Sequence, residues 1–375
     1  MTTVGKNYGL DVMRAMAVLF VLASHGINVL MSEYWPRGWL DVFGWLGFVG
    51  VELFFSLSGF LVGGILFRAR ETMRDVFSVV NFWGRRWFRT LPNYYFYLLV
   101  HLVLAYPLVG LGAGLIEQNK FVIFSQAWAW PHPPFFAEAW SLAIEEWYYL
   151  LSPLMLFLLL RMGLEFRTAF LVVVMVLLFV PIGLRVWLAT VYPEQGFEIH
   201  RKVVMLRLDA IMYGMLIAML HGSQRARLHA MRWSLVLVSV GLFAGASYYN
   251  FFVDKDINAD VGFKVVVLAL IPLAGAFLIP VIMTIRERLG CIAAFFRFTA
   301  SISYSLYLCN LLVLSYLLPT MVKPLLPPSV LGGAFSFVGF VLLSYGVAYL
   351  SYRHIEKPML LLRDRILPAA TGVAR

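Results

Sequence analysis

The sequence predicts an all-α fold: a polytopic membrane helical bundle of about ten transmembrane helices, with both termini in the cytoplasm. Three observations carry that prediction. Of the 375 residues, 61% are hydrophobic and only 13% charged, whereas soluble domains sit near one half and one quarter. Apolar runs of about 20 residues recur between short polar turns, rich in Leu, Phe, Trp and Tyr and without the strict alternation of a barrel strand. The basic residues are distributed asymmetrically about those runs. This excludes nucleic acid as the explanation of the +10 net charge: most of the charge is topological.

A window of about 20 residues places spans near 10–31, 42–67, 91–111, 139–160, 168–191, 205–221, 234–252, 263–285, 298–319 and 331–352. With the N-terminus inside, the inner segments hold 21 Lys and Arg, among them Lys6, Arg14, the six arginines from Arg68 to Arg89, Arg288 and Arg375. The outer loops hold 7, including Arg37, Lys120, Arg201 and Lys202. That split follows the positive-inside rule. The first span carries charges and lacks a small-residue cleavage site, so it reads as a retained helix rather than a signal peptide. The loops are too short for an appended soluble domain, and residues 1–375 read as one transmembrane unit. The longest outer segment, 112–138, contains the run WAWPHPP and reads as an interfacial or re-entrant loop. Cys291 and Cys309 form no CxxC pair and suggest neither a disulfide framework nor a metal site. No internal repeat is visible, which weakens the reading of a transporter built from inverted repeats.

Polar side chains within these spans are expensive in lipid and mark functional or packing faces. In the first, GLDVMRAMAVLFVLASHG, Arg14 and His25 are about three turns apart, so they share a face about 16 Å apart along the axis. Asp11 lies on that face within reach of Arg14. In the second, VGVELFFSLSGFLVGG, Glu52, Ser56, Gly59 and Gly63 line one face, and Gly59 and Gly63 form a GxxxG that admits a close neighbour. Ser58 lies in the same stretch. The fourth begins WSLAIEEWYYL, where Ser141 and Glu145 share a face and Glu146 points about 100° away. Ser303, Tyr307 and Asn310 share a face in SISYSLYLCN. Arg207 and Asp209 open the sixth in RLDAIMYG, and Glu356 precedes Pro358 in SYRHIEKP.

Taken together and in order, GLDVMRAMAVLFVLASH, GFVGVELFFSLSGFL, RRWFRTLPNYY, AWSLAIEEWYYL, RLDAIMYG, SISYSLYL and YRHIEKP resemble the acyltransferase 3 family. Its members are ten-helix membrane enzymes that place acetyl or other short acyl groups on carbohydrates. The resemblance covers nearly the whole chain. It implies that His25 is catalytic, with Glu145 as the glutamate of the SLxxE motif. It also implies that Arg14, Arg85, Arg86 and Arg89 meet the acyl donor, whose phosphates suit arginine forks. Glu52 stands where the family more often has Asp, and Asn310 where a histidine is common. Asp11, Glu52, Ser58, Ser141, Arg207, Asp209, Tyr307 and Glu356 are expected to support the site or the packing.

The expected function is O-acylation, most simply acetylation, of a hydroxyl on a cell-surface or exported glycan or lipid-linked saccharide, in the inner cell membrane. Acyl-CoA is the co-substrate and no cofactor stays bound. His25 would take the hydroxyl proton, with Glu145 holding the imidazole or the acceptor. Direct transfer and an acyl-histidine route both remain open. Two other readings are a lipid or macrolide-like acceptor, and a flippase or transporter in which Arg14, Glu52, Glu145 and His25 form a polar relay.

Overall fold

The computed structural model describes residues 7–109, 119–287 and 290–367, with the side chains of 105–109 and 323 excepted. Helices build the described chain, and no strand occurs among these residues. Each of the ten expected spans coincides with a helix: α1 Tyr8–Leu30, α2 Arg37–Arg68, α3 Val76–Val109, α4 Ala139–Arg161, α5 Phe166–Val191, α6 Asp209–Ser223, α7 Arg232–Phe252, α8 Leu268–Ile282, α9 Cys291–Leu312 and α10 Val330–Ser351. Local signals set several starts. Asn7 caps α1 by accepting from the Leu10 amide at 3.2 Å, Glu165 caps α5 at Thr168 and Ser329 caps α10 at Gly332.

Eight helices among the described residues are long and apolar enough to cross a membrane by length and composition. The two outside that set have visible reasons. The arginine-free part of α3 after Arg89 is diluted by Pro92, Asn93, His101 and several tyrosines, and α6 has only 15 residues. The expected boundaries shift too. Helix α3 begins at Val76 rather than near 91. The start of the sixth span is a 3₁₀ turn, Val204–Leu206, with Arg207 ahead of α6. Helix α10 continues through a π turn at Tyr352–Glu356 into Lys357–Ile366. Lys6, Arg288, Arg375 and the start of the 112–138 loop lie outside the described residues.

Helix α2 is the centre of the bundle, packed most extensively on α6 and α1. The glycines predict this. A Cβ at Gly59 would collide with the Ile211 carbonyl, one at Gly63 would press on Met215, and one at Gly214 would strike the Ser56 carbonyl. In lipid, where apolar burial drives helices together only weakly, such close backbone approach is what favours association. Helices α9 and α10 pack beside α1, where Gly26 admits Phe337 and Phe340. Both described chain ends lie at one end of the bundle, where Asn7, Arg68 and Arg86 line one cavity and Arg85 reaches the Leu367 carbonyl. We call this the basic end.

At the opposite end the described part of the 119–138 loop folds inward. Phe121 and Phe136 are buried, Tyr94 donates to the Phe121 carbonyl at 2.9 Å, and the Val204 amide donates to Ala127 at 2.8 Å. The loop thus ties α3 to the approach to α6, and Trp128, at the start of the WAWPHPP run, adds a bond from the Met205 amide at 3.2 Å and a ring contact with Trp147 of α4.

Candidate active site

Helix α1 sets the axis. Spacings of three and eleven residues return to nearly the same angle on a 3.6-residue turn, which aligns Asp11, Arg14 and His25. Asp11 and Arg14 pair at 3.5 Å. Beyond them a cavity of about 820 Å³ opens between α1, α2, α3, α4 and α9. Arg14, Arg86 and Arg89 line it, together with Ser58, Glu145, Tyr149, Ser141 and Tyr307. A second cavity, reaching Asn7, Asp11 and Arg68, shares Arg14, Arg86 and Arg89 with the first. The two therefore adjoin at these arginines, and together they are called the channel: its outer part lies at the basic end, and its inner part is walled largely by apolar side chains such as Phe54, Phe55 and Leu142.

Hydrogen bonds fix the channel walls. Tyr149 donates to Glu145 Oε2 at 3.3 Å and shares a 2.7 Å bond with Ser58, while the Arg86 guanidinium lies over the Tyr149 ring, 5.5 Å from its centroid. Deeper, the Ser141 and Tyr307 hydroxyls are 2.6 Å apart, and both approach the Glu138 carbonyl at 3.3 Å. No carboxylate lies within ion-pair distance of Arg86 or Arg89 among the described residues. Cations lining an open channel without bonded carboxylates favour an anion there.

His25 lies outside the walls of that cavity, half-buried, next to the turn of α9 that follows Tyr307. Its Nδ1 is 2.5 Å from Asn310 Oδ1. The amide of Asn310 is held the right way round, because its Nδ2 donates to the carbonyls of Tyr307 at 2.5 Å and Leu306 at 3.3 Å. In the neutral ring Nδ1–H therefore donates to Oδ1, and Nε2 keeps its lone pair. The expected face of Ser303, Tyr307 and Asn310 is present: the first two line the cavity and the third holds His25.

The geometry thus brings Arg14, Arg86, Arg89, Glu145, Ser58, Ser141 and Tyr307 together. Arg85 goes elsewhere: its guanidinium donates to the Leu367 carbonyl at 2.6 Å and to Asp364 at 3.0 Å. Glu145 bonds Tyr149, whereas the partner of His25 is Asn310. Glu52, Arg207 and Asp209 form a separate fully buried cluster. Arg207 Nη2 donates to both Glu52 oxygens at 2.6 and 2.5 Å, and Arg185 forks onto Asp209 at 2.8 and 2.7 Å. Glu356 accepts from Ser305 at 2.9 Å in a chain that runs on through Asn93 to Ser351, tying α3, α9 and α10 together.

A family model described as an acyltransferase domain matches residues 7–353. The chain belongs to the acyltransferase 3 family. Its relatives include the peptidoglycan O-acetyltransferase OatA of Listeria monocytogenes, 30% identical over 167 residues, and the O-acetyltransferase OatA of Staphylococcus aureus, 29% identical over 167. These alignments take in 40% and 41% of this chain but only 24% and 25% of the relatives. The chain therefore matches about a quarter of the length of each. No solved structure matches it.

Within this acyltransferase 3 fold, three contributions escape sequence reasoning. Arg185 is the one charge in the apolar run of α5 that follows Thr168, and that isolation is its one signal. Glu138, just ahead of α4, is buried with both carboxylate oxygens free of hydrogen-bond partners among the described residues, and burial pushes its carboxyl up to about 8. At the loop end, Arg201 lies 5.0 Å from the Trp140 ring centroid. Burial would raise Glu198, but Arg201 and Lys202 beside it hold its carboxyl below the usual range.

Proposed function

We propose that this chain is a membrane O-acyltransferase that moves an acyl group, acetyl in the simplest case, from cytoplasmic acyl-CoA to a hydroxyl of a glycan. The acyltransferase family and the O-acetyltransferase names of the relatives support the reaction class, and the name of the Listeria relative supports a glycan acceptor. The excess of Lys and Arg at the basic end supports a cytoplasmic donor side. The single observation that carries the chemistry is the bond from His25 to Asn310, which leaves Nε2 as an acceptor beyond a channel lined by arginines.

In the proposed reaction the acceptor oxygen attacks the thioester carbonyl as Nε2 of His25 takes its proton. The tetrahedral oxyanion is met by the Ser141 and Tyr307 hydroxyls, which line the inner cavity. Collapse breaks the carbon–sulfur bond, and the imidazolium returns its proton to the leaving thiolate. The products are the acyl ester and free CoA. Arg14, Arg86 and Arg89 hold the donor's phosphates, and the roughly 16 Å from Arg14 to His25 is of the order that a pantetheine arm spans.

The test is transfer of label from acetyl-CoA by protein in lipid nanodiscs, with His25→Ala compared by turnover and by size exclusion. The variant is expected to remain monodisperse and to lose on the order of 10²–10⁴-fold in rate. A well-folded variant as fast as the parent removes His25 from the chemistry.

A further inference from the structure

The basic end carries a third cavity that the reaction above does not use. It is open, about 1710 Å³, and lies between the start of α1, the segment after α6, the segment after α8 and the first turns of α9. Arg225, Arg286 and Arg297 line it with His221 and His229, against a single carboxylate, Glu287. That carboxylate is already paired with Arg297. Arg225 and Arg286 have no ion-pair partner among the described residues. Leu228, Pro280 and Met283 add apolar wall. Topology alone accounts for arginines at this end of the bundle, but it does not gather them into a concavity with an apolar wall.

This cavity meets the channel. Asn7 lines both, and Asp11 on the channel side is close enough to Arg297 and Glu287 to feel their charges. Distances along α1 give the order of groups. From His25, about 16 Å reaches Arg14, with Arg86 and Arg89 beside it, and about 10 Å more reaches Asn7. A donor with its thioester at His25 and its arm along α1 places its pyrophosphate at the three channel arginines. Its nucleoside and 3′-phosphate then fall at Asn7 and beyond.

We infer that this vestibule binds the 3′-phosphorylated adenine nucleotide end of the acyl-CoA donor, with Arg225 and Arg286 on the phosphate and the apolar wall against the base. The inference rests on the acyl-CoA reading given above. It assigns the vestibule to the part of the donor that does not react, so binding there lowers KM without touching the thioester.

The deciding experiment compares acetyl-CoA with S-acetylpantetheine, which lacks the nucleotide, in nanodiscs of phosphatidylcholine, which offer no anionic headgroup to compete. The double variant Arg225→Gln/Arg286→Gln is expected to raise KM for acetyl-CoA roughly tenfold and to leave KM for S-acetylpantetheine unchanged. Equal changes with both donors, or none with either, overturn the vestibule. A wild type that uses neither donor overturns the donor reading itself, which is a different result from a variant that matches an active wild type. Adenosine 3′,5′-bisphosphate on the wild type alone provides a second arm independent of the variant's folding. Competition against acetyl-CoA but not against S-acetylpantetheine supports the site, and absence of inhibition overturns it.

Discussion

Two groups of charges lie inside this bundle, and they are built in opposite ways. Around α6, Arg207 with Glu52 and Arg185 with Asp209 are fully buried: Arg185 forks onto Asp209, Arg207 Nη2 reaches both Glu52 oxygens, and the Nη1 groups also donate to the carbonyls of Leu206 and Leu268, which leaves only the two Nε groups without a partner among the described residues. Around the channel, Arg86 and Arg89 line open space with no bonded carboxylate, and Glu145 is held by a tyrosine. Burying a charge is tolerable when a partner and hydrogen bonds compensate it. The α6 cluster meets that condition by itself and holds the fold. The channel leaves Arg86 and Arg89 half-buried against open space, where the phosphates of the proposed donor would meet them.

The contrast is sharpest where one partner is removed. Glu52→Gln leaves Arg207 charged and unpaired in the core, so we expect a destabilisation of about 3–5 kcal/mol, read as a loss of monodisperse protein and a lower melting temperature. A variant that melts like the wild type would show that the α6 pairs do not hold the fold. Next in size is Asn310→Leu, which removes the acceptor that fixes the His25 tautomer. A fall in kcat of roughly 10–100-fold with donor KM unchanged is expected, and Asn310→Asp should move the acidic limb of kcat against pH to higher pH. Unchanged pH profiles would reduce Asn310 to packing.

Smaller effects test the channel side. Arg89→Ala should raise KM for acetyl-CoA roughly tenfold and leave the melting temperature alone, the reverse of Glu52→Gln. Were it to melt early instead, the two regions would not differ as argued. Smallest is Arg85→Ala. Its partner Asp364 is about half exposed, so about 0–1 kcal/mol of stability is at stake and donor KM should not move. A donor defect there would return Arg85 to the channel.

The sequence is legible wherever a helix repeat places residues by itself. The line of Asp11, Arg14 and His25, the GxxxG of Gly59 and Gly63, and the shared face of Ser303, Tyr307 and Asn310 all follow from 3.6 residues per turn. Pairings between helices were not legible. Nothing local tells that Glu52 meets Arg207 across 155 positions, or that Asp209 takes Arg185. Three consecutive-looking basic positions, Arg85, Arg86 and Arg89, also read as one cluster, yet a step of 100° sends Arg85 to the tail and its neighbour into the channel. The departure at Asn310 was visible as an anomaly, but only its contact with His25 gives it a role.

Helix α1 has one further consequence. Because Arg14 and His25 ride on one uninterrupted helix, the helix would serve as a ruler for the donor proposed to lie along it. Inserting one residue between them would lengthen the ruler by only about 1.5 Å but swing the imidazole through about 100°, away from Asn310. The reach and the aim of the site are thus set by the same eleven peptide units, and neither can drift while the other stays.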